Sequence, residues 1–149
     1  MRGKLLVSGQ FLLLGLLVIM PRIVAGHSPS WLRLTGYLLI VTGTGLAVVA
    51  ALRLDEALTP WPEPRSSATL RTEGIYAVVR HPIYTGVLLI GYGLSARSLS
   101  VGSVAAAVAL TMLLAVKARY EERLLGERYP EYSTYCQRVP RFMPGWRPG

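Results

Sequence analysis

Apolar residues run along this chain in long blocks separated by short polar stretches. Leu34 to Leu52 carries no charge, and neither does Ser98 to Val116. Each block approaches the ~20 residues that cross a bilayer core as a helix. Leu5 to Pro21 is a third uncharged run, ending at Arg22, and Pro82 to Ala96 is a fourth. The fourth spans only ~22 Å at 1.5 Å per residue, short of the ~30 Å core. It must borrow residues before His81, tilt, or sit against other helices. This pattern predicts an all-α integral membrane protein with one membrane domain, residues 1–149. About four transmembrane helices are expected, over 5–24, 34–52, 78–96 and 99–117. A proline-rich loop is expected over 53–77, and a helix extension and tail over 118–149.

The segments between the blocks refine that picture. Gly26-His27-Ser28-Pro29-Ser30 reads as a turn. In the second helix, Gly36, Gly43 and Gly45 either admit a close neighbour or reflect the tolerance of membrane helices for glycine. Pro60, Pro62 and Pro64 alternate with Trp61, Glu63 and Arg65, a spacing no helix interior accepts. The segment is an ordered strap or a bland linker. Arg97-Ser98-Leu99-Ser100 joins the third and fourth helices as a hairpin. Lys117 to Arg128 is rich in good helix formers and should carry the fourth helix past the membrane, until Tyr129-Pro130 stops it. The first run resembles a signal peptide, but Pro21-Arg22 interrupts the approach to Val24-Ala25-Gly26, so a retained helix is expected.

Composition agrees: 52% of the 149 residues are hydrophobic and the mean hydropathy is +0.40. The net charge of +8 would suggest nucleic acid in a soluble protein; here the bilayer explains it better, and no nucleic-acid partner is expected. Four crossings place the N-terminus, residues 53–81 and the tail on one side. Arg22, Arg33 and Arg97 lie opposite, and the remaining thirteen of the sixteen basic residues lie on that side. The rich side is therefore cytoplasmic, with both termini there, in a multi-pass protein of the plasma membrane. All eight acids fall on the same side and are available for chemistry. Cys136 is alone, which excludes an intrachain disulfide. With His27 and His81 on opposite faces, no metal site is expected.

Two clusters carry candidate chemistry. Arg80 and His81 stand at the mouth of an apolar helix whose first residue, Pro82, has no amide proton to leave unpaired. A helix N-terminus favours anions, so the pair is placed to grip a carboxylate or phosphate, or else to anchor the membrane edge. On the fourth helix, Lys117 and Glu121 share a face. Glu121 and Glu122 point about 100° apart, so at most one is expected to face the bundle interior. These acids line a pocket or form a solvated, salt-bridged turn. Both clusters sit at the cytoplasmic ends of hairpin neighbours.

Arg80-His81-Pro82-Ile83-Tyr84-Thr85-Gly86, followed after a helical hairpin by Glu121-Glu122, resembles the RHPxYxG…EE signature of isoprenylcysteine carboxyl methyltransferases. It is similar also to their bacterial relatives and, more loosely, to phospholipid methyltransferases. Leu70-Arg71-Thr72-Glu73-Gly74-Ile75-Tyr76 looks like the segment before that motif. Tyr132, Tyr135, Arg138-Val139-Pro140, Phe142 and Pro144 look like its C-terminal pattern. The resemblance covers residues 58–146 and implies a cytoplasmic pocket, formed by the C-terminal half, for S-adenosyl-L-methionine and its product S-adenosyl-L-homocysteine. By that resemblance Ala68, Thr69, Leu70, Arg71, Tyr76, His81, Pro82, Ile83, Tyr84, Glu121 and Glu122 hold the cofactor. Lys117, with Arg119 nearby, stands where the family places its acceptor-carboxylate arginine. Lys117 and Arg80 are the expected catalytic residues. The implied acceptor is a lipophilic carboxylate reached from the bilayer. Such an acceptor is already ionised at neutral pH, with an unperturbed pKa near ~4, and needs no general base. A phospholipid amine would need one, and His81 or a glutamate is the candidate. Tyr135-Cys136-Gln137-Arg138-Val139-Pro140 also resembles the tail of NADPH-dependent sterol reductases, which makes an oxidoreductase the second reading. A non-enzymatic scaffold is the third.

Overall fold

The computed structural model describes residues 2–23, 28–54 and 70–145. The proline strap, His27, Ala68, Thr69 and Trp146 lie outside the described residues.

Four long helices form where the apolar blocks lie. They are α1 (Arg2–Ile23), α2 (Ser30–Leu54), α3 (Pro82–Ser98) and α4 (Val101–Arg128), followed by a short α5 (Tyr132–Arg138). No strand occurs among the described residues. Three of the helices, α1, α2 and α4, are long and apolar enough to cross a membrane. Their outward faces carry large apolar side chains: Phe11 and Leu12 on α1, Trp31, Leu38 and Val41 on α2, Val108 and Met112 on α4. Exposed apolar surface of that extent suits lipid.

The third helix begins where its uncharged run does, later than the length of a full crossing suggests. The chain makes a 3-10 turn over Gly74–Ala77, and α3 starts at Pro82, not at residue 78. The amides of Arg80 and His81 are engaged instead by the carbonyls of Pro140 and Arg141, at 2.9 and 3.1 Å. Those two residues therefore pair with the C-terminal segment rather than opening a helix, and Pro82 supplies an N-terminal residue with no donor to satisfy. The resulting 17-residue helix is shielded by packing against α1, α2 and α4.

The α2–α3 contact is built on glycines one heptad apart on each helix. A Cβ on Gly36 would lie 2.6 Å from the Gly93 carbonyl oxygen, and one on Gly43 would lie 2.6 Å from that of Gly86. Backbone thus meets backbone at two points, the close approach that small residues permit between membrane helices. Gly86 is the glycine of the RHPxYxG segment, which gives that position a packing reason. Gly45 faces open space. On the other side of α3, Leu17 of α1 packs with Ala106, Ala107, Leu110 and Leu114 of α4, with Tyr84, Val87 and Leu88 of α3 against them. The α3–α4 turn closes with Leu99 in the left-handed region, φ 44°. Ser100 caps α4 by accepting from the Ser103 amide at 3.2 Å. The helix then runs unbroken to Arg128 and ends before Pro130, as its composition predicts.

Gly43→Ala is expected to force α2 and α3 apart and to destabilise the protein by roughly 1–3 kcal/mol, the range for overpacking. Gly45→Ala should cost nothing. Thermal unfolding of the two variants in detergent checks the difference.

Candidate functional site

The start of α3 and the C-terminal part of α4 converge on one imidazole. His81 is the residue before α3, and its ring makes no cap to the helix, which leaves both nitrogens to the glutamates of α4. Nε2 lies 3.0 Å from Glu122 Oε1 and Nδ1 lies 3.5 Å from Glu121 Oε2. A neutral ring can donate through only one of them. The Tyr84 ring stacks on the imidazole at 5.2 Å and 1°, and Phe142 tilts against it at 5.9 Å. The Thr85 hydroxyl, one turn into α3, reaches the carbonyls of both His81 (3.1 Å) and Phe142 (2.9 Å).

The two glutamates have different company. Glu122 receives both Nε (2.9 Å) and an Nη (2.6 Å) of Arg141, in the two-pronged geometry that makes arginine–carboxylate pairs strong. Arg80 approaches the same carboxylate at 3.6 Å. Glu121 accepts from the Tyr84 hydroxyl at 2.9 Å. Its side chain is 25% exposed, against 11% for Glu122. The expectation that only one of the pair faces inward is corrected here. Successive helix positions do diverge by about 100°, but residues 139–142 fold back over α4 and extend the interior to cover the second direction. The bond to Glu122 holds the Arg141 guanidinium above its ordinary range.

One turn earlier on α4, Lys117 is buried at 3% exposure. Its Nζ donates to Gln10 Oε1 of α1 at 2.9 Å and lies 5.1 Å from the centre of the Tyr84 ring. Arg119 is exposed. Arg80 keeps a buried Nε with no hydrogen-bond partner, an atom that ordinarily demands one.

Tyr76 ties this cluster to the preceding segment. Its hydroxyl donates to the Ala50 carbonyl of α2 at 3.2 Å, and its own carbonyl accepts from the Tyr135 hydroxyl at 2.6 Å. Burial, with Glu121 nearby, pushes the Tyr76 phenol above its ordinary range, and burial pushes that of Tyr135 up to about 12. A cleft of about 180 Å³ opens beside it, lined by Arg53, Leu70, Arg71, Thr72, Glu73 and Tyr76.

The residues singled out in the sequence therefore divide into groups. His81, Tyr84, Lys117, Glu121, Glu122 and Arg80 meet in one cluster. Pro82 is fully buried and Ile83 half-buried as the first turn of α3. Leu70, Arg71 and Tyr76 line the neighbouring cleft. Ala68 and Thr69 lie outside the described residues. Arg141 and Gln10 belong to the cluster but were not singled out by sequence reasoning. Arg141 stands between Pro140 and Phe142 of the tail pattern, and Gln10 is one of two polar residues in the run from Leu5 to Pro21.

A sulfonium cofactor with an amino-acid and a ribose end needs carboxylate, aromatic surface and an anion donor. Glu121 and the stacked Tyr84 and His81 rings are groups of the first two kinds, and Arg71 beside the neighbouring cleft is a donor of the third.

Residues 31–132 match the family model described as phospholipid methyltransferase. The chain is 36% identical over 124 residues to the cobalt-zinc-cadmium resistance protein CzcN of Cupriavidus metallidurans, covering 80% of this chain and 55% of that protein. It is 30% identical over 118 residues to protein-S-isoprenylcysteine O-methyltransferase B of Arabidopsis thaliana, covering 76% of this chain and 60% of that one. The chain thus spans little more than half the length of these curated relatives. Among solved structures it is similar to the eukaryotic intramembrane Ras methyltransferase, the isoprenylcysteine carboxyl methyltransferase. The TM-score is 0.68 at 26% identity, over 77% of this chain and 43% of that one.

Arg141→Met is expected to release residues 139–142 from α4. Amide exchange at Arg80 and His81 should then rise at least about tenfold, the loss of one charge-assisted interaction. Arg141→Lys, which keeps the charge but not the fork, should fall between. Hydrogen-exchange mass spectrometry of the two variants measures this.

Proposed function

The chain belongs to the phospholipid methyltransferase family, and from that premise we propose that it transfers a methyl group from S-adenosylmethionine to a lipophilic carboxylate at a membrane face. The observation that carries the reading is the convergence of Glu121, Tyr84 and Lys117 around His81 at the ends of α3 and α4. Two segments forty residues apart supply opposite charges and aromatic surface to one place, which is what a cationic donor and an anionic acceptor both require.

When bound, S-adenosylmethionine supplies an electrophilic methyl group on a positively charged sulfur. In this reading Glu121, a quarter exposed, and the Tyr84 and His81 rings hold the donor, with Leu70, Arg71 and Tyr76 along the neighbouring cleft. The family resemblance adds Ala68, Thr69, Pro82 and Ile83 to the residues proposed for the donor. Glu122 is occupied by Arg141 and His81 and acts by fixing the imidazole. Lys117, with Arg80, faces the acceptor carboxylate. An ionised carboxylate is already nucleophilic, so these residues contribute orientation and exclusion of water rather than proton transfer. α3 is read as a fourth crossing, shielded by its neighbours. The basic residues of the loop and tail support a cytoplasmic site, with both termini on that side of the plasma membrane.

The name of the isoprenylcysteine relative supports an acid as the acceptor. The CzcN relative is named for resistance to metals. Among the described residues no group of three His, Cys, Asp or Glu side chains is arranged to hold one, and nothing in the cluster favours carrying that property over.

Isothermal titration of the detergent-solubilised protein with S-adenosylhomocysteine tests the reading. Saturable binding is expected, weakened roughly 10- to 100-fold in Glu121→Gln, the effect of removing one hydrogen bond to a charged group. A folded protein that binds none contradicts it.

A further inference from the structure

Gln10 lies on α1, inside the apolar segment Gly3–Met20 and outside the residues that match the family model. A polar side chain at membrane depth is expensive and generally serves a partner. Here the partner is Lys117, 2.9 Å away. The preceding residue makes the approach possible. A Cβ on Gly9 would lie 2.8 Å from Leu113 Cδ1 of α4, so α1 and α4 touch one position from Gln10 and within one turn of Lys117.

The character of the partner matters. Among the described residues Lys117 takes part in no ion pair. Its ammonium rests on a neutral amide oxygen and an aromatic face. Both stabilise a cation without cancelling its charge. A carboxylate at position 10 would satisfy the same hydrogen bond and neutralise the ammonium. Glu121, one turn along α4, attracts the ammonium from a distance but makes its contacts with Tyr84 and His81.

We propose that Gln10 is a positioning residue that holds Lys117 as a cation in contact with no carboxylate, so that the acceptor site selects a carboxylate over the neutral ester formed from it. The selection also has a consequence for turnover. Methylation converts the anion into a molecule that the ammonium no longer retains, which favours product release into the bilayer. The proposal rests on the acceptor reading above, and its test separates the two.

The probes are N-acetyl-S-farnesylcysteine and its methyl ester, titrated into detergent-solubilised protein, with S-adenosylhomocysteine binding measured in the same preparations. Wild type should bind the acid more tightly than the ester. Gln10→Met should reduce that preference about tenfold or more, as expected for a lost hydrogen bond to a charged group. It should raise KM for the acid more than it lowers kcat, and should leave S-adenosylhomocysteine affinity within about twofold. Gln10→Glu should abolish the preference. In a Lys117→Met background, Gln10→Met should add nothing further, because it acts through the lysine. The proposal is overturned if Gln10→Met keeps the wild-type preference, if its effect adds to that of Lys117→Met, or if donor-analogue affinity falls in parallel. Should Gln10→Glu fail to fold, Gln10→Met decides alone. A wild type that binds neither S-adenosylhomocysteine nor the acid overturns the underlying reading and this proposal with it. An active wild type with indifferent Gln10 variants overturns this proposal only.

Discussion

The placement of His81 between two carboxylates is the constraint on which the polar end of this molecule depends. The imidazole is held from one side by Glu122 and faces Glu121 from the other. Glu122 in turn is clasped by Arg141. Three separate parts of the chain, the mouth of α3, the end of α4 and the tail, are thereby fixed to one another. Removing any one partner would strand a charge in a poorly solvated place, which costs more than the pair contributes when intact. The backbone bonds from Arg80 and His81 to Pro140 and Arg141 repeat the same connection in uncharged form.

That grip works because the membrane part is rigid where it must be. The paired glycines of α2 and α3 bring the two backbones into contact and leave little room for α3 to slide. Gly86 lies one turn beyond His81, so the helix contact and the site are parts of a single segment. α1 closes the other side through Leu17 and reaches the site through Gln10. The division of labour between the glutamates follows. Glu122 is committed to structure, and Glu121, more exposed and bound to one tyrosine hydroxyl, is the one with capacity left for a ligand.

Much of this was legible in the sequence, for identifiable reasons. The uncharged blocks locate the long helices because a bilayer imposes length and hydropathy on any helix that crosses it. His81, Tyr84, Lys117, Glu121 and Glu122 stand out because charged and polar groups at the ends of apolar helices need partners. The start of α3 was not legible, since the uncharged run from Pro82 is too short to cross a bilayer core alone and invites a longer helix. The pairing of Arg80 and His81 with the tail is a tertiary fact. The inward turn of Glu122 was hidden for the same reason: helix periodicity cannot anticipate a segment that folds back over the helix. Gln10 gave a weak signal, a polar residue in an apolar run, and its partner lies 107 positions away. Of Gly36, Gly43 and Gly45, composition could not distinguish the two that touch α3 from the one that faces open space.

The central claim is methyl transfer to a lipophilic acid, and the product itself is its most direct test. Purified protein would be incubated with S-adenosylmethionine carrying a labelled methyl group and a total lipid extract, and the organic-soluble label then treated with mild base. The account predicts label in the lipid phase that base releases as methanol, the behaviour of a methyl ester. Label that resists base, as on nitrogen, or the absence of any transfer by folded protein, would contradict it.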